Sequence, residues 1–394
     1  MIPLSRTKEI FMELIFILSI ISIGIGLFFY RVFLFAGVSV ILLLFLFDFF
    51  NSIIGFKGKV VVETPDGFNQ PYHPSIVHFD SKWNYYKYWM AYTPFPIGAK
   101  PYIDRWEYPC IVVSNDGIHW KYADRVQPLD DLTQEQINNR DYFSDTHLIY
   151  NKDKDRLECF YRLNEHFGET SNEHIFLFRR VSYNGVDWSE REIIADSRMS
   201  DTNNLGSPII SPAVEIIENK YNLWYVIFES EKAENMKIYY SRSDDALHWD
   251  ARKQCSLNGY TIDPWHLDCK YYDGKYWLLI YDFTHKLTLW SSVNGIDFDF
   301  KKIVLKPSRI PVSFYSKSLY RSCMVKDDDL FFVYFSAGDG KKHSLGLMKG
   351  DRLTNLKVVS ATGEYSFKEF ILYMFEKYTR ISRWMIKNLK KHRK

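Results

Sequence analysis

Residues 114–120 read SNDGIHW, and the chain repeats this phrase three more times. The copies are SYNGVDW at 182–188, SDDALHW at 243–249 and SVNGIDF at 292–298. Their first serines lie 68, 61 and 49 residues apart, a spacing that is typical of the blades of a β-propeller. Asn or Asp before Gly favours a tight hairpin turn, and the aromatic residue that ends each copy can pack between neighbouring sheets. This turn motif therefore predicts architecture and not chemistry.

Strand patterns fill the intervals between the turn motifs. Five segments with an alternating apolar pattern predict the innermost strand of each blade, and they open at His73, Asp145, Ser211, Trp265 and Tyr320. An aromatic-rich second strand follows each one, and a third strand leads into the turn motif. The fifth blade lacks the motif, and we expect KVVVET at 59–64 to complete its outer edge. Because no long helical pattern interrupts the region, the sequence predicts an all-β, five-bladed propeller over residues 57–360.

The N-terminal region predicts a membrane anchor. Residues 11–29 and 32–50 are apolar runs, each close to the roughly 20 residues that a membrane-spanning helix needs. We therefore expect two transmembrane helices within residues 1–56. A signal peptide or one long span is the alternative, and it fits less well because no small-residue cleavage site follows. Basic residues on both sides of the hairpin favour a propeller that faces the cytoplasm.

The C-terminal region, residues 361–394, predicts a basic amphipathic helix. It begins with a capping box at Ser366 and Glu369 and continues with an apolar face opposite a face rich in lysine and arginine. Such a helix lies on anionic lipid, so membrane lipid is an expected partner. A helix packed against the domain, with a solvated basic side, is the alternative.

Composition limits the classes of function. The net charge of +2 gives the chain no basic field for nucleic acid. Aromatic residues make up 18% of the chain, which suits half-buried sheets and clefts that stack on sugars. The five cysteines include no CxxC pair. They predict buried thiols in a reducing compartment and neither a disulfide framework nor a zinc site. We expect no cofactor.

The turn motif, together with inner strands of the form x-P-S-I-x-x-F, resembles the five-bladed propeller glycoside hydrolases. These include the arabinanase and xylosidase group of family 43, the invertase group of family 32 and the mannoside phosphorylase group of family 130. The resemblance covers residues 60–358. It implies three carboxylates at the starts of successive inner strands: an Asp as base or nucleophile, a second Asp that orients, and a Glu as acid. Asp145 matches the second position, whereas His73 and Ser211 stand in the first and third.

Other polar residues near strand starts extend the candidate site. Alternation along a strand places His266 with Asp268 on one face, and Asp145 with His147 on another. We predict that the catalytic carboxyl groups are Asp145, Asp268 and Glu107. The expected substrate-binding residues are His73, His147, His266, Arg321, Ser211 and Trp265. We expect no metal; a site formed by His73, His147, His266 and Asp268 is the alternative, disfavoured because a propeller spreads its strand starts around a ring.

These residues favour a membrane-anchored carbohydrate-active enzyme that acts on a cell-envelope or lipid-linked glycan. A glycoside hydrolase, a phosphorylase and a transglycosidase all fit, and the histidines and arginine suit an anionic glycan or phosphate. Glycoside hydrolysis needs an acid paired with a base or nucleophile, and two of the three implied carboxylates are missing. A non-catalytic propeller that binds glycan or scaffolds a polysaccharide assembly system is therefore the alternative. A protein–protein scaffold is a third hypothesis, which the form of the turn motif disfavours.

Overall fold

The computed structural model describes residues 4–28, 35–43, 46, 58–97, 107–166, 173–198, 204–206, 208–228, 236–309 and 313–359. The chain forms two compact units. One spans Gly58–Arg309 and Phe314–Thr362 and contains every strand named below. The other contains helix α1, Leu4–Phe28.

The predicted transmembrane hairpin is not supported. Helix α1 begins at Leu4, so it takes in the charged residues Arg6, Lys8 and Glu9 ahead of the first apolar run. Residues 35–43 are also helical, and most of the remaining second run lies outside the described residues. Within the part of the chain that the structure describes, no helix is both long enough and apolar enough to cross a membrane. The predicted basic helix at 361–394 lies outside the described residues.

Five sheets form the blades of the propeller. Blade 1 consists of β2 (Pro71–Trp83), β3 (Tyr86–Pro94) and β4 (Cys110–Ser114). Blade 2 consists of β5 (Tyr142–Asn151), β6 (Arg156–Glu165), β7 (His174–Ser182) and β8 (Glu192–Asp196). Blade 3 consists of β9 (Ile210–Ile217), β10 (Lys220–Phe228), β11 (Met236–Ser243) and β12 (Lys253–Gln254). Blade 4 consists of β13 (Ser256–Asn258), β14 (Pro264–Tyr272), β15 (Lys275–Asp282), β16 (Leu287–Ser292) and β17 (Asp297–Leu305). Blade 5 consists of β1 (Lys59–Val60), β18 (Ser318–Asp327), β19 (Leu330–Gly338), β20 (His343–Gly350) and β21 (Lys357–Val358).

The all-β, five-bladed prediction is confirmed. Each innermost strand (β2, β5, β9, β14 and β18) begins within three residues of its predicted position. The predicted outer-edge strand is present as β1, which pairs with β20 of blade 5. Two short helices lie between strands: α2, Gln134–Asn139, with a capping box between Thr133 and Gln136, and a 3-10 helix, Leu353–Asn355.

The turn motif is held by its own side chains. Ser114 Oγ accepts the Gly117 N–H at 2.9 Å, and Asp116 Oδ1 accepts the Ile118 and His119 N–H groups at 2.8 Å. The other three copies repeat these bonds with Asn184, Asp245 and Asn294 in the position of Asp116. The tight turn is not of the type I′ form that an Asp-Gly pair often adopts. A type I′ turn needs two residues with positive φ, and in the first copy only Gly117 has one, at 71°.

The glycine of the turn motif gives the preceding blade room to pack. A Cβ on Gly185 would lie 2.1 Å from the ring of Trp89 in blade 1. Trp224 of blade 3 donates its indole N–H to the Gly295 carbonyl oxygen at 2.7 Å, and Tyr334 of blade 5 donates to that of Gly117 at 2.6 Å. The motif thus joins three pairs of neighbouring blades (1 and 2, 3 and 4, 5 and 1) through large aromatic residues that are fully buried.

Side chains also bridge every pair of neighbouring blades near the axis. In order around the ring the bridges are Ser75 Oγ to the Leu148 N–H (2.9 Å), His147 Nε2 to the Val214 carbonyl oxygen (2.8 Å), Ser211 Oγ to the Leu267 N–H (3.0 Å), Asp268 Oδ2 to the Met324 N–H (2.8 Å) and Ser336 Oγ to the His73 N–H (3.0 Å). Each bridge satisfies a backbone group of an innermost strand, which is the edge strand of its sheet, as buried backbone groups require.

Both ends of the propeller meet on strand β20. The Leu347 N–H donates to the Gly58 carbonyl oxygen at 2.8 Å, and the Leu347 carbonyl oxygen accepts the Val359 N–H at 3.1 Å. Gly58 has a φ of 78°, and a Cβ there would lie 2.3 Å from a methyl group of Val358. The ring is therefore closed by hydrogen bonds from β1 and β21 to one strand.

The two aspartates of the turn motif predict a pH dependence of stability. Burial alone would raise the pKa of Asp116, but its bonds to the His119 and Ile118 N–H groups and to the His119 ring outweigh burial and lower the pKa to about 2. The pKa of Asp245 is lowered for the same reason. Because the folded-state pKa of each carboxyl group lies below the unfolded value of about 3.9, the ionised carboxylates stabilise the fold above about pH 3.9. This stabilisation is lost as the pH falls through the folded-state pKa.

We expect the Asp116→Asn/Asp245→Asn variant to lose less stability than the natural chain between pH 5 and pH 2.5. Asparagine accepts the same N–H bonds without titrating, as at Asn184 and Asn294. Both carboxylates are largely exposed, so solvent screening limits the difference to about 0.5 kcal/mol for each. Urea unfolding at the two pH values measures it, with exposed Asp329→Asn as the control. Equal losses in the variant and the natural chain would contradict the prediction.

Candidate active site

Each innermost strand is irregular near its start. The pairing register shifts near the start of each strand, next to Tyr72/Ser75, Ser144/His147, Ile210/Ala213, Pro264/His266 and Leu319/Ser322. Bulges of this kind bend a strand and re-aim its side chains. In blades 1 to 3 the affected residues His73, Asp145 and Ser211 have φ values of 50°, 55° and 51°. Non-glycine residues in this region cost about 1–3 kcal/mol each, so the surrounding fold imposes the conformation.

Three buried side chains from different blades converge at this level. His73, Asp145 and His266 each offer one ligand atom, and these atoms all lie within 4.8 Å of one another. Among the described residues, His73 Nε2, Asp145 Oδ1 and both ring nitrogens of His266 have no hydrogen-bond partner. A buried polar atom without a partner costs about 1–3 kcal/mol. The cluster of His73, Asp145 and His266 is therefore arranged to receive a ligand group.

The two carboxylate oxygens of Asp145 have different environments. Oδ2 accepts hydrogen bonds from Arg162 Nη1 at 2.7 Å and from the Ser211 N–H at 3.1 Å. Oδ1 lies 3.2 Å from His266 Nδ1 and 3.3 Å from Arg321 Nη1, outside hydrogen-bonding geometry. Burial alone would raise the pKa of Asp145, but His266, Arg162 and Arg321 outweigh burial and hold the pKa well below its usual range. Asp145 is thus an ionised carboxylate with one oxygen fixed and the other directed at the cluster.

His73 is oriented by a second buried carboxyl group. Its Nδ1 lies 2.7 Å from Thr93 Oγ1 and 3.2 Å from Glu107 Oε1. Thr93 donates its hydroxyl to Glu107, so we infer that the His73 proton sits on Nδ1 and that Nε2 carries a lone pair. Burial lowers the pKa of His73, and Glu107 only partly opposes this. Burial likewise raises the pKa of Glu107, against the effect of His73.

His266 is held by ring contacts. Its ring meets that of Tyr320 edge to face at 4.2 Å and lies 5.5 Å from the ring of His73. Burial lowers the pKa of His266, although Asp145 acts in the opposite direction. At neutral pH both imidazoles are therefore neutral, which is the form in which histidine binds metal ions.

Two predicted site residues do not belong to the cluster. His147 and Asp268 lie two residues further along β5 and β14, where both bridge blades. Burial, together with Lys270 and Arg321, holds the pKa of His147 well below its usual range. Burial raises the pKa of Asp268, and its Oδ1 has no hydrogen-bond partner. Of the four residues in the alternative metal site of the sequence analysis, His73 and His266 belong to the cluster, whereas His147 and Asp268 do not.

The other predicted residues support the cluster from its edge. Arg321 donates from Nη2 to the Pro212 carbonyl oxygen at 2.6 Å, and its Nη1 is unpartnered. Ser211 contributes its backbone N–H to Asp145, so its side chain does not replace the acid of the related hydrolases. Trp265 donates its indole N–H to the Tyr320 hydroxyl at 2.8 Å, and this bond positions the Tyr320 ring against His266.

Sequence reasoning missed Arg162, Thr93 and Tyr320. Arg162 lies on the second strand of its blade, opposite Ser144, and only a known strand register would have placed it beside Asp145. Thr93 similarly lies opposite Tyr72. Tyr320 was predicted only as the first residue of a strand, and the predicted substrate-binding residue was its neighbour Arg321.

The donor set fits a divalent metal ion, which the sequence analysis did not favour. Two neutral imidazoles and one carboxylate are typical ligands of zinc and of non-haem iron(II). A carboxylate that accepts the second N–H of a ligating histidine is a frequent companion, and Glu107 occupies that position beside His73. Arg162 and Arg321 oppose a cation, whereas Glu107 and Asp268 add carboxyl groups that offset them.

The chain is similar to known carbohydrate-active proteins. No protein-family model matches it. The A type blood N-acetyl-α-D-galactosamine deacetylase of Flavonifractor plautii is 25% identical over 239 residues, which cover 52% of this chain and 30% of that protein. The chain thus spans under a third of the length of this curated relative.

Solved structures share the fold. An N-acetylgalactosamine deacetylase from F. plautii, in complex with blood group B trisaccharide, matches with a TM-score of 0.59 and 18% identity over 75% of this chain and 94% of that one. A family 43 glycoside hydrolase from Xanthomonas citri, complexed with xylose, matches with a TM-score of 0.54 and 8% identity over 79% and 96%. A family 43 β-1,3-galactosidase matches with a TM-score of 0.53 and 12% identity over 77% and 98%. The predicted likeness to glycoside hydrolases is confirmed for the fold.

The Arg162–Asp145 pair should be strongly coupled. We expect Arg162→Met to destabilise the chain by about 3–5 kcal/mol, because it leaves a buried charge with one guanidinium fewer. Adding Asp145→Asn should recover part of the loss, with a coupling energy above about 1 kcal/mol. Urea unfolding of the two single variants and the double variant measures this coupling. Simple additivity of the two single effects would show that Arg162 does not compensate Asp145.

Proposed function

We propose that this chain is a carbohydrate-active enzyme that hydrolyses the N-acetyl group of an amino sugar. The observation that carries the proposal is the cluster of His73, Asp145 and His266, in which converging ligand atoms lack hydrogen-bond partners. The curated relative and the most similar structure quoted above are both named N-acetylgalactosamine deacetylases, which supports the same class of reaction.

A divalent cation fits this cluster. Metal binding needs deprotonated ligands, and the pKa directions of Asp145, His73 and His266 provide them at neutral pH. A bound cation would polarise the acyl carbonyl group and lower the pKa of a water molecule. In the overall reaction the water oxygen bonds to the acyl carbon, the carbon–nitrogen bond breaks, and the departing amine nitrogen takes a proton.

The chain's own residues organise this reaction. Arg162 and the Ser211 N–H hold one oxygen of Asp145, so the other stays aimed at the cluster. Glu107 keeps the Nδ1 proton of His73 in place and leaves Nε2 free. Arg321 has an unpartnered Nη1 beside Asp145. This group can donate to the acyl oxygen as negative charge develops there, which is the type of interaction that contributes most to many enzymes.

Glycoside hydrolysis is the second candidate function. The pKa of Glu107 is raised and that of Asp145 is lowered, which is how one carboxyl group stays protonated as the acid while another stays ionised. Against it, Arg162 and the Ser211 N–H already bond one oxygen of Asp145, and His73 occupies the position where the resemblance implies an aspartate.

One substrate separates the two candidates. We expect the full chain to release acetate, and no nitrophenol, from p-nitrophenyl N-acetyl-α-galactosaminide or its N-acetylglucosamine counterpart. Chelation should abolish acetate release, and zinc or manganese should restore it. Asp145→Asn and His266→Ala should each lower acetate release at least about 100-fold, because losing a ligand costs more than the 10–100-fold typical of its supporting residues.

His119→Ala is the matched control. His119 pairs with Asp116 at 2.6 Å, so it has the same chemical groups as the cluster, but it is exposed. This variant should keep both acetate release and metal stoichiometry, measured by calorimetric titration. Nitrophenol release that survives chelation would favour the glycosidase, and metal binding that survives His266→Ala would overturn the assignment of the cluster.

We further propose that the enzyme acts at a membrane surface from the cytoplasmic side, on a lipid-linked or envelope glycan. Its support is the basic C-terminal sequence, the basic residues that flank the apolar N-terminal runs, and five cysteines that form no disulfide. All five thiols are buried, so Val293→Cys, at a position 79% exposed, offers a single reactive thiol. We expect an impermeant thiol reagent to label this variant in lysed cells and not in intact cells. Labelling of intact cells would overturn the proposed location.

A further inference from the structure

A cleft of about 670 Å³ lies between blades 3 and 4, and one of its lining residues, Pro264, is two residues from His266 of the cluster. Its lining includes Ile238 of β11, Cys255 and Leu257 of the connection between the two blades, Tyr260, and Pro264 at the start of β14. The site residues themselves are almost fully buried, so this cleft offers solvent-accessible space close to them.

The path of the chain between the two blades opens the cleft. Strand β12 pairs antiparallel with β11 of blade 3, and two residues later β13 pairs parallel with β17 of blade 4. At the crossing, the Cys255 N–H donates to the Ile238 carbonyl oxygen and the Ser256 N–H to that of Ile296. The short segment 253–258 thus pairs with blade 3 through β12 and with blade 4 through β13. The cleft lies between these two sheets.

The lining of the cleft has the chemistry that binds sugar rings. Tyr260 stacks on Phe300 with ring centroids 4.6 Å apart, which gives a rigid aromatic wall. Hydroxyl, amide and ammonium groups surround an apolar floor: Lys237, Gln254, Ser256 and Thr261. Ligand sites typically combine apolar and aromatic surfaces with a few polar groups in this way. A single cationic residue, Lys237, gives the lining little electrostatic preference for a highly charged polymer.

The cleft is close enough to serve the same substrate molecule as the cluster. Pro264 lines the cleft, and His266 follows it two residues later on the same strand. Two strand residues span about 7 Å. A glycan with one residue at His266 therefore needs only a short extension to enter the cleft.

We propose that this cleft binds further sugar residues of a glycan whose N-acetylated residue occupies the active site. The proposal rests on the proposed function and deepens it, because it assigns an oligosaccharide or polysaccharide, and not a monosaccharide, as the substrate. The extra residues contribute affinity in the cleft without taking part in the chemistry.

Calorimetric titration of the full chain tests this with N-acetylglucosamine oligomers of one to six sugars and with the blood group A trisaccharide. We expect the dissociation constant to fall at least tenfold from the monosaccharide to the best oligomer. Thr261→Trp, which fills the cleft from an exposed position, should raise the oligomer value to that of the monosaccharide and leave the monosaccharide value unchanged. Gln254→Ala, a milder change, should raise the oligomer value several-fold.

A second cleft of about 350 Å³, lined by Gln127 and by residues of the turn motif at 185–188, provides the control. Gln127→Ala should not alter binding of any oligomer. Equal affinity for all chain lengths, or no binding by any of them, would overturn the proposal.

Acetate release from the nitrophenyl monosaccharide separates the cleft proposal from the deacetylase proposal. Chain-length dependence without acetate release would leave the cleft assigned and the deacetylase function wrong. Acetate release without chain-length dependence would mean the reverse.

Discussion

A buried negative charge on Asp145 determines the centre of this propeller. An ionised carboxylate that is only 1% exposed would be unstable in the protein interior without compensation. The compensation comes from Arg162 in blade 2, from Arg321 in blade 5 and from the Ser211 N–H in blade 3. Three blades must therefore be in place before this charge is stable, and the same three fix the direction of its free oxygen. Stability of the ring and geometry of the site depend on one set of contacts.

The strained residues extend this dependence to the backbone. His73, Asp145 and Ser211 hold positive φ values at equivalent points of three strands, where each strand leaves its regular pairing. Near these points, side-chain bridges between blades bond backbone groups on the edge strands. In the related hydrolases the first of these positions has an aspartate. At that position His73 offers a nitrogen lone pair in place of a carboxyl group. Under the proposed function, the fold then binds a ligand group where two carboxyl groups would otherwise act, and the arrangement of the five blades does not change.

The architecture was readable from the sequence because its signals are local. A repeated turn motif and alternating strands need only neighbours along the chain, and they located His73, Asp145 and His266 at strand starts. What decides their chemistry was not readable. Arg162 reaches Asp145 through strand register, Glu107 reaches His73 from the irregular segment before β4, and the cluster forms because bulges in three blades point to one place. For the N-terminal runs, apolar composition alone predicted membrane spans, and no helix among the described residues supports them.

Both ends of the propeller bond to Leu347. The fold therefore does not require any particular blade to come first in the chain. Because Gly58 and Val359 both bond to that residue, a short peptide could join them, and the chain could be cut instead at an exposed turn such as that of Gly274. The five blades, their bridges and the Asp145 centre would all persist in such a circular permutant. The position of the termini is then a matter of gene order and not of folding.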